Sequence, residues 1–177
     1  GLMDAIQSIA FIIDNNGKIK KCDDIILDDT LISTVLGNGF FKQISKTKKE
    51  LPLFLLDTDK LKKEYLNIER YKPEALMKEL SLETNREILT NALLRLNPEK
   101  YLEFIKWLDN FCNINDVDSS WILNLPIVRL EKSVVSLKHF LANPICLLRA
   151  NKTSDLESIL TKIGFILSEF NIDDDKL

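Results

Sequence analysis

The sequence predicts an α+β fold, and three observations carry this prediction. The pair Asn16-Gly17 lies between two short apolar stretches, which is typical of a β-hairpin. Apolar residues recur at helical spacing through the middle of the chain. Short stretches of strand-like pattern return in the last third. We therefore predict a small antiparallel sheet, or hairpins, from the two ends of the chain, packed on a central helical region.

The first element is the hairpin within FIIDNNGKIKKCDDI, residues 11–25. Asn16-Gly17 favours a two-residue type I′ turn, because both central residues need positive φ. A calcium-binding loop is the alternative, but it needs Gly at its sixth position and Glu at its twelfth. Counted from Asp14, these positions hold Ile19 and Ile25. We therefore interpret the stretch as a chain reversal.

Two motifs follow the hairpin. In LGNGFF, Gly37 and Gly39 flank Asn38, but the further glycine and the Lys-Ser/Thr pair of phosphate-binding loops are missing. We predict a helix end or turn there. The stretch KQISKTKKE then holds four lysines without an interleaved aromatic or Arg side chain: Lys42, Lys46, Lys48 and Lys49. With a net charge of -3 for the whole chain, this favours a solvated connection over a nucleic-acid surface.

The middle of the chain contains at least two predicted helices. Thr84 and Glu87 have the spacing of a capping box for the first, and Asn97 precedes Pro98 as an N-cap for the second. Apolar stripes at helical spacing predict the core faces of these helices. The stripes are Ile88, Leu89, Ala92, Leu93 and Leu96, followed by Tyr101, Phe104, Ile105, Leu108 and Phe111.

The last third returns to strand-like pattern. LPIVRLEKSVVSLKHF, residues 125–140, has a polar centre between apolar runs, and residues 145–148 supply another short apolar run. Ser154 and Glu157 predict the start of a final helix, which ends at Gly164 or continues past it. Residues 10–25 and 125–140 also match in pattern without gaps, with Ile12 on Ile127. Whether this match is a true repeat stays open.

Length and composition indicate a folded protein without a membrane span. Residues 1–177 suit a single compact domain, with a hairpin plus helix in 1–50, a helical middle in 60–113, and a hairpin, strand and helix in 121–170. The chain is 45% hydrophobic and 29% charged, and it has no secretory signal, so we predict a cytoplasmic location. It begins with Gly, which is compatible with a segment of a longer protein. The cysteines, Cys22, Cys112 and Cys146, are predicted to be buried apolar residues.

Two stretches carry a family resemblance. FIIDNNGKIKKCDDIILDD and LPIVRLEKSVVSL, together with a helix of the form ILTKIGF, resemble modules of sacsin-like proteins, which are large chains with an Hsp90-type ATP-binding domain. In that family such modules follow the ATPase domain, and the resemblance implies a chaperone-like or protein-contacting role. The ATP-binding signature, E-x-x-x-N followed by D-x-G-x-G, is absent from this sequence. No nucleotide-binding residue is therefore carried over.

No motif predicts catalysis or a cofactor. A nucleophile needs an adjacent base, and the single histidine, His139, lies near only the apolar run around Cys146. We interpret both as structural residues. Neighbouring carboxylates such as Asp23 and Asp24 point to opposite faces of a strand, so they do not converge on one ion.

We therefore predict a non-enzymatic interaction or regulatory module of a larger, sacsin-like, ATPase-associated protein. Its partners would be other domains of the parent chain and client or effector proteins. Four aromatic residues are the predicted contact surface: Phe40, Phe41, Trp107 and Trp121. The alternatives are a metal-dependent hydrolase using Asp116 and Asp118, or the cluster from Asp23 to Asp29, and a nucleic-acid-binding module using residues 42–49.

Overall fold

The computed structural model describes residue 1 and residues 10–53, 68–130 and 132–142. The chain forms two compact units, Gly1–Leu76 and Met77–Leu177. Short sheets and helices are both present, so the fold is α+β. The predicted apolar run at 145–148, Cys146, the Ser154–Glu157 capping box and the helix end near Gly164 lie outside the described residues.

The elements follow one another closely along the chain. Six strands and six helices are described: β1 (Ala10–Ile13), β2 (Ile19–Lys21), β3 (Ile26–Asp28), α1 (Ile32–Ser45), β4 (Glu69–Tyr71), α2 (Pro73–Leu80), α3 (Glu83–Arg95), α4 (Pro98–Asn115), α5 (Ser119–Leu123), β5 (Pro126–Arg129), β6 (Val134–Ser136) and α6 (Leu137–Ala142). A 3-10 turn, Cys22–Asp24, follows β2. β1 pairs with β2 and β5 with β6 in antiparallel fashion, whereas β3 and β4 are parallel. β4 is a strand within the region predicted to be helical.

The first hairpin reverses the chain, but the predicted type I′ turn is wrong. The loop has three residues, 15–17, because the Asp14 N–H donates to the carbonyl of Lys18 at 2.7 Å. The Gly17 N–H donates to the Asp14 carbonyl at 2.9 Å, and Gly17 alone in the loop has positive φ, 78°. This is a type I turn followed by a left-handed glycine. The carboxylate of Asp14 favours it by accepting the N–H groups of Asn16 and Lys18.

The extended segment 50–53 lies beside β1. The Leu53 N–H donates to the Ile13 carbonyl and the Asn15 N–H to the Leu51 carbonyl, both at 2.9 Å. Beneath this layer four residues form a buried cluster: Ile12, Cys22, Ile25 and Leu27. Burial, with a smaller contribution from Asp23, raises the pKa of the Cys22 thiol, as expected for a cysteine that packs as an apolar side chain.

Helix α1 is interrupted by a glycine. Gly37 has φ 89° and ψ 162°, so the helical hydrogen-bond pattern breaks there before resuming towards Ser45. This φ favours glycine, because a side chain in this conformation is strained. The stretch LGNGFF is thus a turn inside the helix, in agreement with the sequence prediction. Lys46 ends the helix in a left-handed conformation.

The helices of the second unit differ in how well their starts were predicted. The Asn97 side chain accepts the Lys100 N–H at 2.8 Å, so the predicted N-cap of α4 is confirmed. The predicted Thr84–Glu87 capping box is wrong. Helix α3 begins at Glu83, and its N-cap Leu82 has no side-chain acceptor.

Tyr101 ties α4 to β5. Its hydroxyl donates to the Ile127 carbonyl at 2.8 Å and accepts the Arg129 N–H at 3.2 Å. The Arg129 guanidinium lies 5.9 Å from the centre of the Tyr101 ring and donates to the Leu96 carbonyl. This network joins the end of α3, the start of α4 and β5 in one buried region of the second unit.

The two antiparallel hairpins share a local geometry. Each has an irregularity at the same place in its first strand, between Ala10 and Ile12 and between Pro126 and Val128. Each second strand leads directly into a helical element with a buried first residue, Cys22 in one case and Leu137 in the other.

The gapless match of residues 10–25 with 125–140 therefore needs one correction. The second hairpin loop closes through the Leu130 N–H and the Ser133 carbonyl at 2.8 Å, so it is one residue shorter than the first. Ile12 then corresponds to Val128 rather than to Ile127, and the two are both buried. Beyond the loop the gapless match holds, with Ile25 and Phe140 buried at equivalent positions.

Candidate functional site

Two of the four predicted contact residues lie in the core. Phe40 is 7% exposed and Phe41 is fully buried. The Phe41 ring meets the Tyr71 ring edge to face, with centroids 5.2 Å apart. Because neither phenylalanine presents its ring to solvent, both serve the packing of the first unit. Only Trp107 and Trp121 keep part of their surface exposed.

Both tryptophans belong to a row of aromatic rings in the second unit. The centroids of Phe104 and Trp107 are 5.6 Å apart, those of Trp107 and Phe111 5.2 Å, and those of Phe111 and Trp121 6.1 Å. The Trp121 indole N–H donates to the Met77 carbonyl at 2.9 Å. Each indole is thus held by packing, Trp121 also by a hydrogen bond, and both residues are partly exposed.

A second apolar surface lies on the first hairpin. Ile13 pairs with Ile19 across β1 and β2, and the bridge between Asp14 and Pro52 places Leu53 opposite Ile13 on the other side. The exposed fractions are 46% for Ile13, 64% for Ile19 and 44% for Leu53. Directly opposed residues of an antiparallel pair have Cβ atoms about 4.5–5.5 Å apart. These three side chains, the apolar row, therefore form one solvent-exposed strip.

The apolar row faces out because its neighbours face in. On either side of Ile13 in the chain, Ile12 and Asp14 are buried, as the two-residue period of a strand requires. The sequence analysis predicts the hairpin that carries Ile13 and Ile19, but it does not single them out as a contact surface. Leu53 was missed, because residues 50–53 carry no strand pattern and reach β1 only through the fold.

Asp14 holds the loop end of this surface. Its Oδ1 accepts the N–H groups of Lys18 at 2.8 Å and Asn16 at 2.9 Å. Its Oδ2 is buried and has no hydrogen-bond partner. Burial alone raises the pKa of Asp14, but the two N–H groups and the nearby lysine charges outweigh it, so the pKa lies below its ordinary value of 3.8.

We expect Asp14→Asn to destabilise the protein at neutral pH and to lose that effect in acid. A carboxyl with a lowered pKa in the folded state stabilises the fold above its unfolded-state pKa and ceases to do so as the pH falls through its folded-state pKa. Urea midpoints measured from pH 7 downwards should therefore converge for wild type and variant below about pH 4. The exposed Asp23→Asn is the matched charge control, and a constant gap at all pH values would contradict this role.

In the first acidic cluster of the hydrolase alternative, the carboxylates of Asp28 and Asp29 form hydrogen bonds or ion pairs within the fold. Asp28 accepts the N–H groups of Thr30 at 3.0 Å and Ser33 at 2.9 Å, and Asp29 pairs with Arg70 at 2.8 Å. In the described ranges, no group of three or more His, Cys, Asp or Glu side chains is placed to hold a metal ion.

Asp116 and Asp118 flank a short loop between two helices. Asp118 is the N-cap of α5, and the hydroxyl and N–H of Ser120 lower its pKa. Asp116 ends α4 in a left-handed conformation. The two carboxylates therefore belong to one helix end followed by one helix start, and this arrangement does not favour a hydrolase site.

The lysine segment is partly neutralised. Lys42 forms an ion pair with Glu50, and Lys49 forms one with Glu69 at 2.6 Å. Lys46 is the residue that ends α1. Pairing of two of the four lysines with carboxylates reduces the positive charge that this segment can offer to a phosphate backbone.

The two stretches on which the predicted family resemblance rests, residues 11–29 and 125–137, overlap the two antiparallel hairpins. Across the part of the chain that the structure describes, every helix is too short or too polar to cross a membrane. Comparisons of the chain with protein-family models, with curated proteins and with solved structures found no match.

Proposed function

We propose that this chain is a non-enzymatic interaction module that binds apolar segments of non-native client proteins through the apolar row. The observation that carries the proposal is the exposure of Ile13, Ile19 and Leu53 at adjacent positions on three extended segments. Isolated apolar residues on a surface need no explanation, but a contiguous strip is typical of a contact site. The resemblance to sacsin-like modules supports the same role and suggests a larger, ATPase-associated parent chain.

The energetics suit weak, reversible contact. Complete burial of an Ile or Leu side chain is worth about 1.5–3 kcal/mol. Only part of this remains to be gained here, because the three side chains are between 44% and 64% exposed. The remaining apolar area of three residues gives a modest driving force, before the cost of ordering the partner is subtracted. Such a surface holds an apolar segment transiently, as a chaperone-like module must.

We expect replacement of the apolar row to abolish suppression of client aggregation. The variant is Ile13→Thr/Ile19→Thr/Leu53→Thr, because threonine is β-branched, which is favoured in strands, and carries a hydroxyl in place of apolar surface. Light scattering of a thermally unfolding reporter enzyme, with and without the protein, measures the effect. Wild type should lower scattering in proportion to its concentration, and the variant should not.

A matched control separates this surface from exposed apolar area in general. Among the described residues of the second unit, three large apolar side chains are exposed: Leu82, Leu102 and Ile114. The triple variant with glutamine at these positions removes a comparable apolar area and should suppress aggregation as wild type does. Equal activity of the row variant and wild type, or no suppression by wild type, would overturn the proposal. Circular dichroism should show that both variants remain folded.

A further inference from the structure

A groove in the second unit combines one cation with one indole. It has a volume of about 430 Å³, and its lining includes Arg86 from the first turn of α3 and Ser120, Trp121 and Asn124 from α5 and its end. The backbone carbonyl of Ser81, at the end of α2, accepts one guanidinium N–H. Local sequence patterns do not indicate this groove, because its lining residues come from segments separated along the chain.

The charge of Arg86 is not compensated within the described part of the chain. Its Nη2 donates to the Ser81 carbonyl at 2.9 Å and its Nη1 is 3.5 Å from the Asn124 carbonyl. Its Nε is buried and has no acceptor. Carbonyl oxygens satisfy hydrogen bonds but carry no net charge. A partly buried guanidinium without a carboxylate therefore favours binding of an anion, above all a planar carboxylate.

The other lining groups indicate whether the carboxylate belongs to a peptide C-terminus or to an Asp or Glu side chain. Capture of a peptide C-terminus commonly relies on free backbone N–H groups. Here the N–H groups of Ser81, Trp121 and Leu125 already donate to Met77, Asp118 and Ile122 respectively. Arg86 is then the main group that can hold the charge, which suits a side-chain carboxylate on a passing chain.

Trp121 supplies the second contact. Its N–H is engaged by the Met77 carbonyl, so a ligand meets the ring rather than the indole donor. An indole face or edge favours an apolar or aromatic group. Asn124 is held by its own bond, in which its Nδ2 donates to the Ser120 carbonyl at 2.8 Å. Trp121 and Asn124 are thus held in place before a ligand arrives.

We propose that this groove binds an acidic segment of a protein partner, with an Asp or Glu carboxylate on Arg86 and an adjacent apolar side chain on Trp121. The site lies in a different unit from the apolar row and recognises different chemistry. It goes beyond the proposed function and does not depend on it.

The test uses the full chain and blocked peptides. The chain has two tryptophans, so its indole N–H region in a proton–nitrogen correlation spectrum holds two signals, and Trp107→Phe assigns them. The probes are acetyl-Ala-Glu-Phe-Ala-amide, the same peptide with Gln in place of Glu, and the Gln peptide with a free C-terminus. The Glu peptide should shift the Trp121 signal to saturation, and the two Gln peptides should bind at least about tenfold more weakly, the cost of one lost charge-assisted contact.

Variants of the same helix identify the cation. Arg86→Gln should weaken binding of the Glu peptide about tenfold and leave the weak Gln binding unchanged. Arg95→Gln, at an exposed position in the last turn of α3, removes the same charge and should have no effect. Equal binding of the Glu and Gln peptides by wild type, or unchanged binding by Arg86→Gln, would overturn the proposal. Stronger binding of the Gln peptide with a free C-terminus would overturn the assignment to side-chain carboxylates.

Two further measurements test the groove even if Arg86→Gln does not fold, and separate it from the apolar row. If Arg86→Gln fails to fold, the wild-type preference for Glu over Gln and its decrease with salt test the charge contact without any variant. The row variant Ile13→Thr/Ile19→Thr/Leu53→Thr should bind the Glu peptide as wild type does. A loss of aggregation suppression and a loss of peptide binding are therefore distinguishable.

Discussion

Replacement of Phe41 by alanine is expected to lower the free energy of unfolding by about 3–5 kcal/mol. Phe41 is fully buried, and its ring packs edge to face on Tyr71 of β4 at 5.2 Å. The substitution removes apolar contact area and leaves a cavity that a helix and a strand can fill only by moving together. A typical domain has about 5–15 kcal/mol of total stability, so the loss is a large share of it.

Urea unfolding followed by far-ultraviolet circular dichroism measures this effect. Phe41→Leu keeps most of the volume and should cost markedly less, while Ile114→Ala, at a position 73% exposed, should change stability by no more than about 0.5 kcal/mol. Both tryptophans lie in Met77–Leu177, so fluorescence in the same samples reports that unit alone. An unchanged dichroism midpoint in Phe41→Ala would contradict the assigned core position.

Replacement of Tyr101 by alanine should have an effect of similar size in the second unit, about 3–5 kcal/mol. The side chain is buried, and its hydroxyl serves both the Ile127 carbonyl and the Arg129 N–H. Burial raises the pKa of this hydroxyl, so it stays protonated and able to donate across neutral pH. Alanine removes the ring, the donor and the acceptor together.

Tyr101→Phe separates packing from hydrogen bonding. It keeps the ring and leaves two buried backbone groups without their partner, which should cost about 1–3 kcal/mol. Tryptophan fluorescence during urea unfolding reports the unit concerned. If the phenylalanine variant were as stable as wild type, the hydroxyl would not be an essential link between α4 and β5. If it were as unstable as the alanine variant, the ring would contribute little.

Features set by neighbouring residues were the ones that the sequence predicted well. Asn97 caps α4 because a short polar side chain before Pro98 can reach the N–H of Lys100 without help from the rest of the fold. The presence of the first hairpin follows in the same way from Asn16-Gly17. Its loop type did not, since the buried carboxylate of Asp14 binds two N–H groups and selects a loop one residue longer.

Features that depend on distant contacts were missed. β4 lies in a region with no strand pattern and is defined by its pairing with β3. The Thr84–Glu87 spacing suits a capping box, yet α3 starts one residue before Thr84, at Glu83.

The contact surfaces also depend on distant neighbours that local sequence patterns do not reveal. Composition singled out aromatic residues as contact candidates, but it carries no information about which of them the fold covers. Phe40 and Phe41 are buried, whereas Trp121 lines a groove. The apolar row and the Arg86 groove both need neighbours brought in from far along the chain, Leu53 in one case and Asn124 in the other. A single sequence read by local pattern does not supply such neighbours.

The parallel pairing of β3 with β4 has a consequence for the order of folding. Forty residues lie between Asp28 and Glu69, so the chain must close a long loop before the first of these hydrogen bonds can form. The hairpins and the helices α3 and α4 need only nearby residues and can form early. We therefore expect β4 to join the first unit after the hairpin has formed. Until it docks, Phe41 lacks its Tyr71 partner and apolar surface stays exposed, which favours aggregation during synthesis.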